Sequence, residues 1–311
     1  MELVCVFTRR TPAELEESLK SQTDIPTNIS ADVPFVSVAD ASDWKDKIDV
    51  MILCGGSKSD LPTQGPFFAK IFNTVDSYDT HAKIPAYFAE MDKAASEGDN
   101  LSVISVGWDP GLFSLQKLYM EAVIPEGKSY SFWGPGVSQG HSEAIRNING
   151  VADAVQYTMP NEAAIESIRK GETPVLSVRE KHQRVCYVAI KDGADQNRIV
   201  KEIQTMPDYF ADYDTIVNFI TEEELKTNHG KMKHGGNVIH TGVTGNGNRQ
   251  LLEYTLKLDS NPEFTSSILI AYARAVYKMA GNGERGARTA FDIPPGMLSP
   301  KSPEELRKDL L

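Results

Sequence analysis

Several short stretches hold residue types that could bind and transform a small charged molecule. In "DSYD", Asp76 and Asp79 lie just past an apolar run, and in "GWDPG" so do Trp108 and Asp109. Carboxylates at strand ends suit a substrate ammonium group; a turn begun by Asp109 before Pro110, and a helix capped by Asp79, would use the same residues. Arg184 and His234 could meet carboxylates, or be no more than an exposed strand residue and a turn histidine. Arg9 and Arg10 close the opening run "MELVCVFTRR", and "CGGSKSD" (Cys54 to Asp60) closes another. Two guanidinium groups at a strand end can grip a phosphate, and glycines there permit close backbone approach to a cofactor, although a tight turn needs glycine just as much.

Such residues need a frame to hold them. Glu2 to Phe7 is an almost unbroken apolar run, as a strand buried on both faces of a parallel sheet requires. Thr11-Pro12-Ala13-Glu14 supplies an N-cap, a proline and a capping-box glutamate for a helix toward Lys20. Strand-like runs recur at "FVSVAD" (Phe35 to Asp40), "DVMILCGG" (Asp49 to Gly56), "NTVDSYD" (Asn73 to Asp79) and "LSVISVG" (Leu101 to Gly107), with helices over Phe67 to Phe72 and after Pro85. Repeated strand and helix units predict an α/β fold with a parallel sheet, whose ligands bind at the carboxyl ends of the strands. Arginines ending the second strand of a dinucleotide fold would select the 2'-phosphate of NADP.

From Gly111 the texture changes. A helix over Phe113 to Val123 precedes the glycine-rich "SFWGPGVSQGHSE", and then come "RVCYVAI", "DTIVNFI", "NVIHTGV" and "QLLEYTLKL". Leu252, Tyr254, Leu256 and Leu258 alternate with polar residues, which predicts one buried and one wet face in a largely antiparallel sheet. A capped helix from Asn261 to near Gly281 returns the chain to the first region. The domains therefore read as 1–111 with 262–311 packing back, and 112–261.

Composition narrows the function classes. A net charge of −11 argues against a nucleic-acid partner. No apolar run reaches the roughly 18 residues of a membrane span, and no signal-peptide pattern opens the chain, so the expected compartment is the cytoplasm. Cys5, Cys54 and Cys186 are far apart in apolar runs, which predicts reduced core thiols, and His229, His234 and His240 lack metal-site spacing, so no metal is expected. "GNGERG" (Gly281 to Gly286) matches a nucleotide-loop pattern but follows a helix, and "TGVTGNGN" (Thr241 to Asn248) reads as a hairpin turn. Glu222 to Glu224 reads as a solvated helix start.

Taken together, "TVDSYDTH", "SVGWDPG", "FWGPGVSQGHS", "AVQYTMP", "TMPDYF" and "LKLDSNPEFTSS" resemble the meso-diaminopimelate dehydrogenases, from Phe7 to about Pro303. The resemblance implies a Rossmann-like domain plus an α+β substrate-binding and dimerisation domain, in a cytoplasmic homodimer of lysine biosynthesis. It implies NADP-dependent, reversible deamination of the D-centre of meso-2,6-diaminopimelate to L-2-amino-6-oxopimelate, which cyclises to tetrahydrodipicolinate. By position, Thr8, Arg9, Arg10 and Cys54, Gly55, Gly56, Ser57 match cofactor-binding segments, and Asp79, Trp108 and Asp109 match the pocket around the reacting amino group. Gln139, Gly140, Thr158, Arg184, His234 and Asn261 match groups that receive the rest of the substrate.

The family pattern begins with a strand, a glycine-rich loop and a helix, whereas Met1 here falls where the second strand starts. That suggests an incomplete amino terminus, with about 25 residues upstream, and two buried strand edges left unpaired. It also raises a different class of function: a catalytically inactive paralogue that binds a ligand or a partner. A related dehydrogenase for another D-amino acid is a third reading.

Overall fold

The computed structural model describes residues 1–11, 14, 15, 17 and 33–311. The chain divides into two units, residues 1–112 with 267–311, and residues 113–266.

In the first unit β1 (Val6–Thr8) runs parallel to β2 (Phe35–Ser37). β3 (Met51–Leu53), β4 (Thr74–Asp76) and β5 (Leu101–Val103) form a second parallel ladder. Helices α1 (Leu61–Ala69) and α2 (Ile84–Glu97) pack on it. In α2 the residues Tyr87, Met91, Ala94 and Ala95 are buried, a spacing that puts all four on one helical face. β4 and β5 are buried throughout, as strands covered on both faces must be.

The first strand departs from the prediction. Glu2 to Val4 lie outside it and are exposed, and Val6 to Thr8 are only half-buried. Among the described residues β1 pairs only with β2, so an apolar run that reads as doubly covered is covered in part. Nor is the parallel sheet single: among the described residues β1 and β2 form one sheet and β3 onward another. "FVSVAD" leaves the strand at Ser37, whose side chain caps a 3-10 helix over Val38–Lys47. The helix expected over Phe67 to Phe72 begins at Leu61, with Pro62 in its first turn. Thr11 and Glu14 do form a capping box, with the Glu14 carboxylate accepting the Thr11 N–H at 2.8 Å. Most of the helix expected toward Lys20 lies outside the described residues.

The second unit opens with α3 (Leu112–Val123), nearly all of which belongs to it. It contains β6 (Gly127–Trp133), β7 (Gly136–Val137), α4 (Gln139–Arg146), β8 (Val151–Pro160), α5 (Glu162–Arg169), α6 (Val178–Lys181) and β9 (His182–Ile190). α7 (Gln196–Gln204), β10 (Asp214–Phe219), α8 (Glu222–His229), β11 (His234–Thr244) and β12 (Asn248–Leu258) follow. One sheet has the order β10-β9-β8-β7 and the other β12-β11-β6. β9 and β10 are parallel, against the antiparallel expectation, because α7 carries the chain across between them. In β12, Leu256 and Leu258 are buried and Tyr254 is half-buried, but Leu252 is exposed, against the alternation. The hairpin falls in "TGVTGNGN", and Thr221 with Glu224 caps α8 at the acidic run.

α9 (Asn261–Gly281) contains the second unit boundary. β13 (Gly286–Arg288) then joins the parallel ladder beside β5, so "GNGERG" links a helix to a strand. α10 (Pro295–Leu298) and α11 (Pro303–Leu310) end the chain. Among the described residues no helix is long and apolar enough to cross a membrane. The three thiols are free; Cys186 is buried and Cys5 half-buried, but Cys54 is exposed because it lies past the end of β3, which corrects the expectation of a core thiol there.

Candidate active site

In the first unit the candidate residues gather at the carboxyl ends of the parallel strands. Beyond β1 the Thr8 hydroxyl accepts the Arg10 N–H at 3.0 Å, and Arg9 donates to both Asp60 oxygens at 2.7 and 3.2 Å. Asp60 in turn accepts the Gly56 N–H at 3.0 Å. The Gly56 N–H bond does most to hold the Asp60 carboxyl below the usual range, and Arg9 adds to it. Thus Thr8 to Arg10 and the Cys54 to Ser57 loop, far apart in the chain, meet around Asp60. Ser57 continues the link, its hydroxyl accepting the Asp79 N–H at 3.1 Å.

Asp79 itself is exposed, whereas Asp76, three residues earlier, is completely buried. Asp76 therefore meets no substrate ammonium, although its sequence position suits that role equally well. The turn bearing Trp108 and Asp109 is closed by the Gly107 N–H donating to Pro110 O at 2.8 Å and the Leu112 N–H donating to Gly107 O at 3.0 Å. Gly111 adopts a φ of +125° there, and a Cβ would lie 2.0 Å from the Gly107 oxygen, so only glycine closes this turn.

In the second unit Arg184 is buried on β9, with its guanidinium 3.9 Å above the Tyr213 ring. Its Nη1 donates to the Thr158 hydroxyl, directly across on β8, while its buried Nε has no hydrogen-bond partner among the described residues. Burial pushes the guanidinium pKa down, and Tyr213 opposes that shift. The half-buried His234 ring lies against Gly136, where a Cβ would come within 2.3 Å of it, so β7 needs glycine for this approach. His234 Nδ1 lies 2.8 Å from the Gly235 nitrogen and 3.0 Å from the Gly235 oxygen; burial lowers its pKa, and the Gly235 backbone opposes that shift.

Met232 links the remaining residues. The Gln139 amide donates to its sulfur at 3.1 Å, and its carbonyl accepts the Asn261 N–H at 3.0 Å. Gln139 and Gly140 are exposed at the start of α4. Gln139 and Met232 also line a cleft of about 510 Å³ with Arg146 and His229, but Thr158 and Arg184 do not, so that cleft is separate from the guanidinium.

Three supporting residues escape sequence reasoning. Tyr213 lies under Arg184 from a loop 29 positions away. His182 is buried and accepts the Trp133 N–H at 2.8 Å while stacking on its ring. Tyr87 donates to Asp76 at 2.8 Å. Only the two-residue offset of His182 from Arg184 in an alternating strand hinted at a shared face.

For NADP, the donor set fits at one end: two arginines beyond β1 beside a glycine loop offer cationic donors and close backbone approach. Thr8, Arg9 and Arg10 stand together there, with Arg9 paired to Asp60.

Comparison with known proteins is specific. Residues 107–260 match the family model described as the diaminopimelic acid dehydrogenase C-terminal domain. A meso-diaminopimelate D-dehydrogenase of Ureibacillus thermosphaericus is 56% identical over 311 residues, covering 100% of this chain and 92% of that one. One from Corynebacterium glutamicum is 44% identical over 98% of this chain and 90% of its own. Among solved structures, the Corynebacterium glutamicum DAP dehydrogenase in complex with DAP has a TM-score of 0.86 at 41% identity, covering 100% of both chains. A substituted Clostridium tetani enzyme solved with DAP has a TM-score of 0.89 at 50% identity, covering 100% of this chain and 92% of that one. An engineered D-amino acid dehydrogenase bound to NADP+ has a TM-score of 0.83 at 42% identity, with the same coverage. With more than half of its residues shared with curated relatives along its whole length, the chain belongs to the meso-diaminopimelate D-dehydrogenase family.

Proposed function

We propose that this chain oxidises the D-configured amino centre of meso-2,6-diaminopimelate with NADP+, reversibly, giving L-2-amino-6-oxopimelate and ammonia for lysine synthesis. The observation that carries the reading is Arg184: a buried guanidinium held by Thr158 and Tyr213, whose Nε has no hydrogen-bond partner among the described residues. A desolvated arginine of this kind is a receptor for a carboxylate. Gln139, Thr158, His234 and Asn261 supply further polar contacts for the substrate, beside Gly140. In support, the Clostridium tetani enzyme solved with DAP is substituted at a Gln, a Thr, an Arg, a Pro, a His and an Asn. Gln139, Thr158, Arg184, His234 and Asn261 follow one another here at the same intervals, with Lys233 in the place of the proline.

In the first unit Asp79 and Asp109 receive the ammonium group, and Trp108 excludes water while the α-carbon gives up hydride. Bound NADP+ supplies the hydride acceptor; Thr8, Arg9 and Arg10 hold its 2'-phosphate and Cys54 to Ser57 flank it. Water then adds to the resulting imine and ammonia leaves. Preference for the D-centre is a matter of which end of a symmetric carbon chain the guanidinium fixes, so it is positional. The same reading makes the protein a homodimer, which light scattering of the purified chain tests.

The decisive assay is NADPH formation on incubating the purified chain with meso-diaminopimelate and NADP+. Turnover with release of stoichiometric ammonia supports the reading. Binding of diaminopimelate without any NADPH would overturn it in favour of an inactive ligand-binding paralogue.

A further inference from the structure

Asp76 ends β4 with its side chain wholly inside the first unit. Its Oδ1 accepts the Tyr78 N–H at 2.9 Å and the Ser105 N–H at 3.0 Å, and its Oδ2 accepts the Tyr87 hydroxyl at 2.8 Å. Its carbonyl oxygen accepts the Val106 N–H at 3.0 Å. Each contact points to one of two loops or to the helix behind them. Tyr78 immediately precedes Asp79, and Ser105 and Val106 lead into Trp108 and Asp109.

A buried carboxylate is costly, and an apolar residue would serve β4 better if packing were all that mattered. The neighbourhood shows a second expense. Ser105 has a φ of +58°, a left-handed conformation uncommon outside glycine, and in that conformation its N–H faces Oδ1. Tyr87 and Tyr78 stack with centroids 4.1 Å apart and planes 21° from parallel, so the hydroxyl that meets Oδ2 belongs to a ring that also supports the first loop. One carboxylate thus ties the β4 loop, the β5 loop and α2 together.

We propose that Asp76 is a positioning residue that sets the spacing between Asp79 and the Trp108–Asp109 turn. The proposal rests on the reading of Asp79 and Asp109 as the groups that receive the ammonium. Misplacing a reacting group by about 1 Å can cost about 100-fold in rate, so the effect of losing the anchor is measurable.

The experiment compares Asp76→Ala, Asp76→Asn and Asp79→Asn in steady-state kinetics with meso-diaminopimelate, on protein shown to be folded by circular dichroism. Asparagine keeps an oxygen for both loop N–H groups and alanine keeps neither. Asp76→Ala is expected to lower kcat by about 10- to 100-fold and to raise the KM for diaminopimelate, with the Kd for NADP+ unchanged. Asp76→Asn is expected to restore kcat to within about threefold of the parent. A folded Asp76→Ala chain with parental kcat and KM overturns the proposal, and so does an Asn variant as impaired as the Ala one. Should Asp76→Ala not fold, Tyr87→Phe removes only the Oδ2 contact: a lowered kcat at unchanged NADP+ affinity supports the anchor, and parental kinetics overturn it. Parental kinetics in Asp79→Asn would instead mark failure of the underlying site reading.

Discussion

Acidification should weaken the second unit through the buried imidazole of His182, among others. His182 is 2% exposed, and burial, with help from the nearby Arg184 and Lys181 charges, pushes its pKa down to about 3. An unfolded histidine titrates near 6.5, so between about pH 6.5 and about pH 3 the unfolded chain binds a proton that the folded chain refuses. Stability is therefore full above the unfolded value and is lost as the pH falls through that window. For a histidine with these two values, going from pH 7 to pH 5 removes about 2 kcal/mol. His182→Gln is the matched control, because its amide oxygen can still accept the Trp133 N–H but cannot titrate. Urea titrations of both chains at pH 7, 6 and 5 should show the parent losing about 2 kcal/mol more than the variant over this range. Carboxylates shared by the two proteins cancel in the difference. Parallel loss in both chains, or an imidazole of His182 that titrates near 6.5 by NMR, would refute the reasoning.

Other perturbations address the candidate site. Arg184→Met removes charge-assisted contacts of about 1.5–3 kcal/mol, so kcat/KM for diaminopimelate should fall by about 10- to 150-fold in steady-state assays. Arg10→Ala should raise the KM for NADP+ about tenfold while leaving that for NAD+ nearly unchanged, a difference read directly from the two saturation curves. Gly111→Ala forces a side chain into a conformation that only glycine adopts freely, and should cost about 1–3 kcal/mol in a denaturation series and lower kcat with it.

Local patterns were the legible part of this fold. Thr11 with Glu14 and Thr221 with Glu224 form their capping boxes because each needs only four consecutive residues. The runs at Met51, Thr74 and Leu101 become strands, since apolar β-formers bounded by turn residues have few other outcomes. Leu256 and Leu258 turn inward as their alternation demands, but Leu252, with the same pattern, does not, because whether a face is covered depends on what else the chain lays over it.

The site divides the same way. Residue order alone marks strand ends rich in Asp, Arg and Gly, and the long shared motifs identify the family. It cannot rank Asp76 against Asp79, two carboxylates three residues apart at the end of one strand. Tertiary structure decides that question: Tyr78, Ser105 and Tyr87 converge on Asp76 and withdraw it from solvent, while Asp79 stays exposed. Tertiary structure likewise places Tyr213 under Arg184 and His182 behind Trp133, and pairs β9 with β10 in parallel. The physical reason is range. Caps, turns and alternation are set by neighbours within a turn or two of chain, whereas burial, pKa and hydrogen-bond partnership depend on groups that only folding brings within a few ångströms.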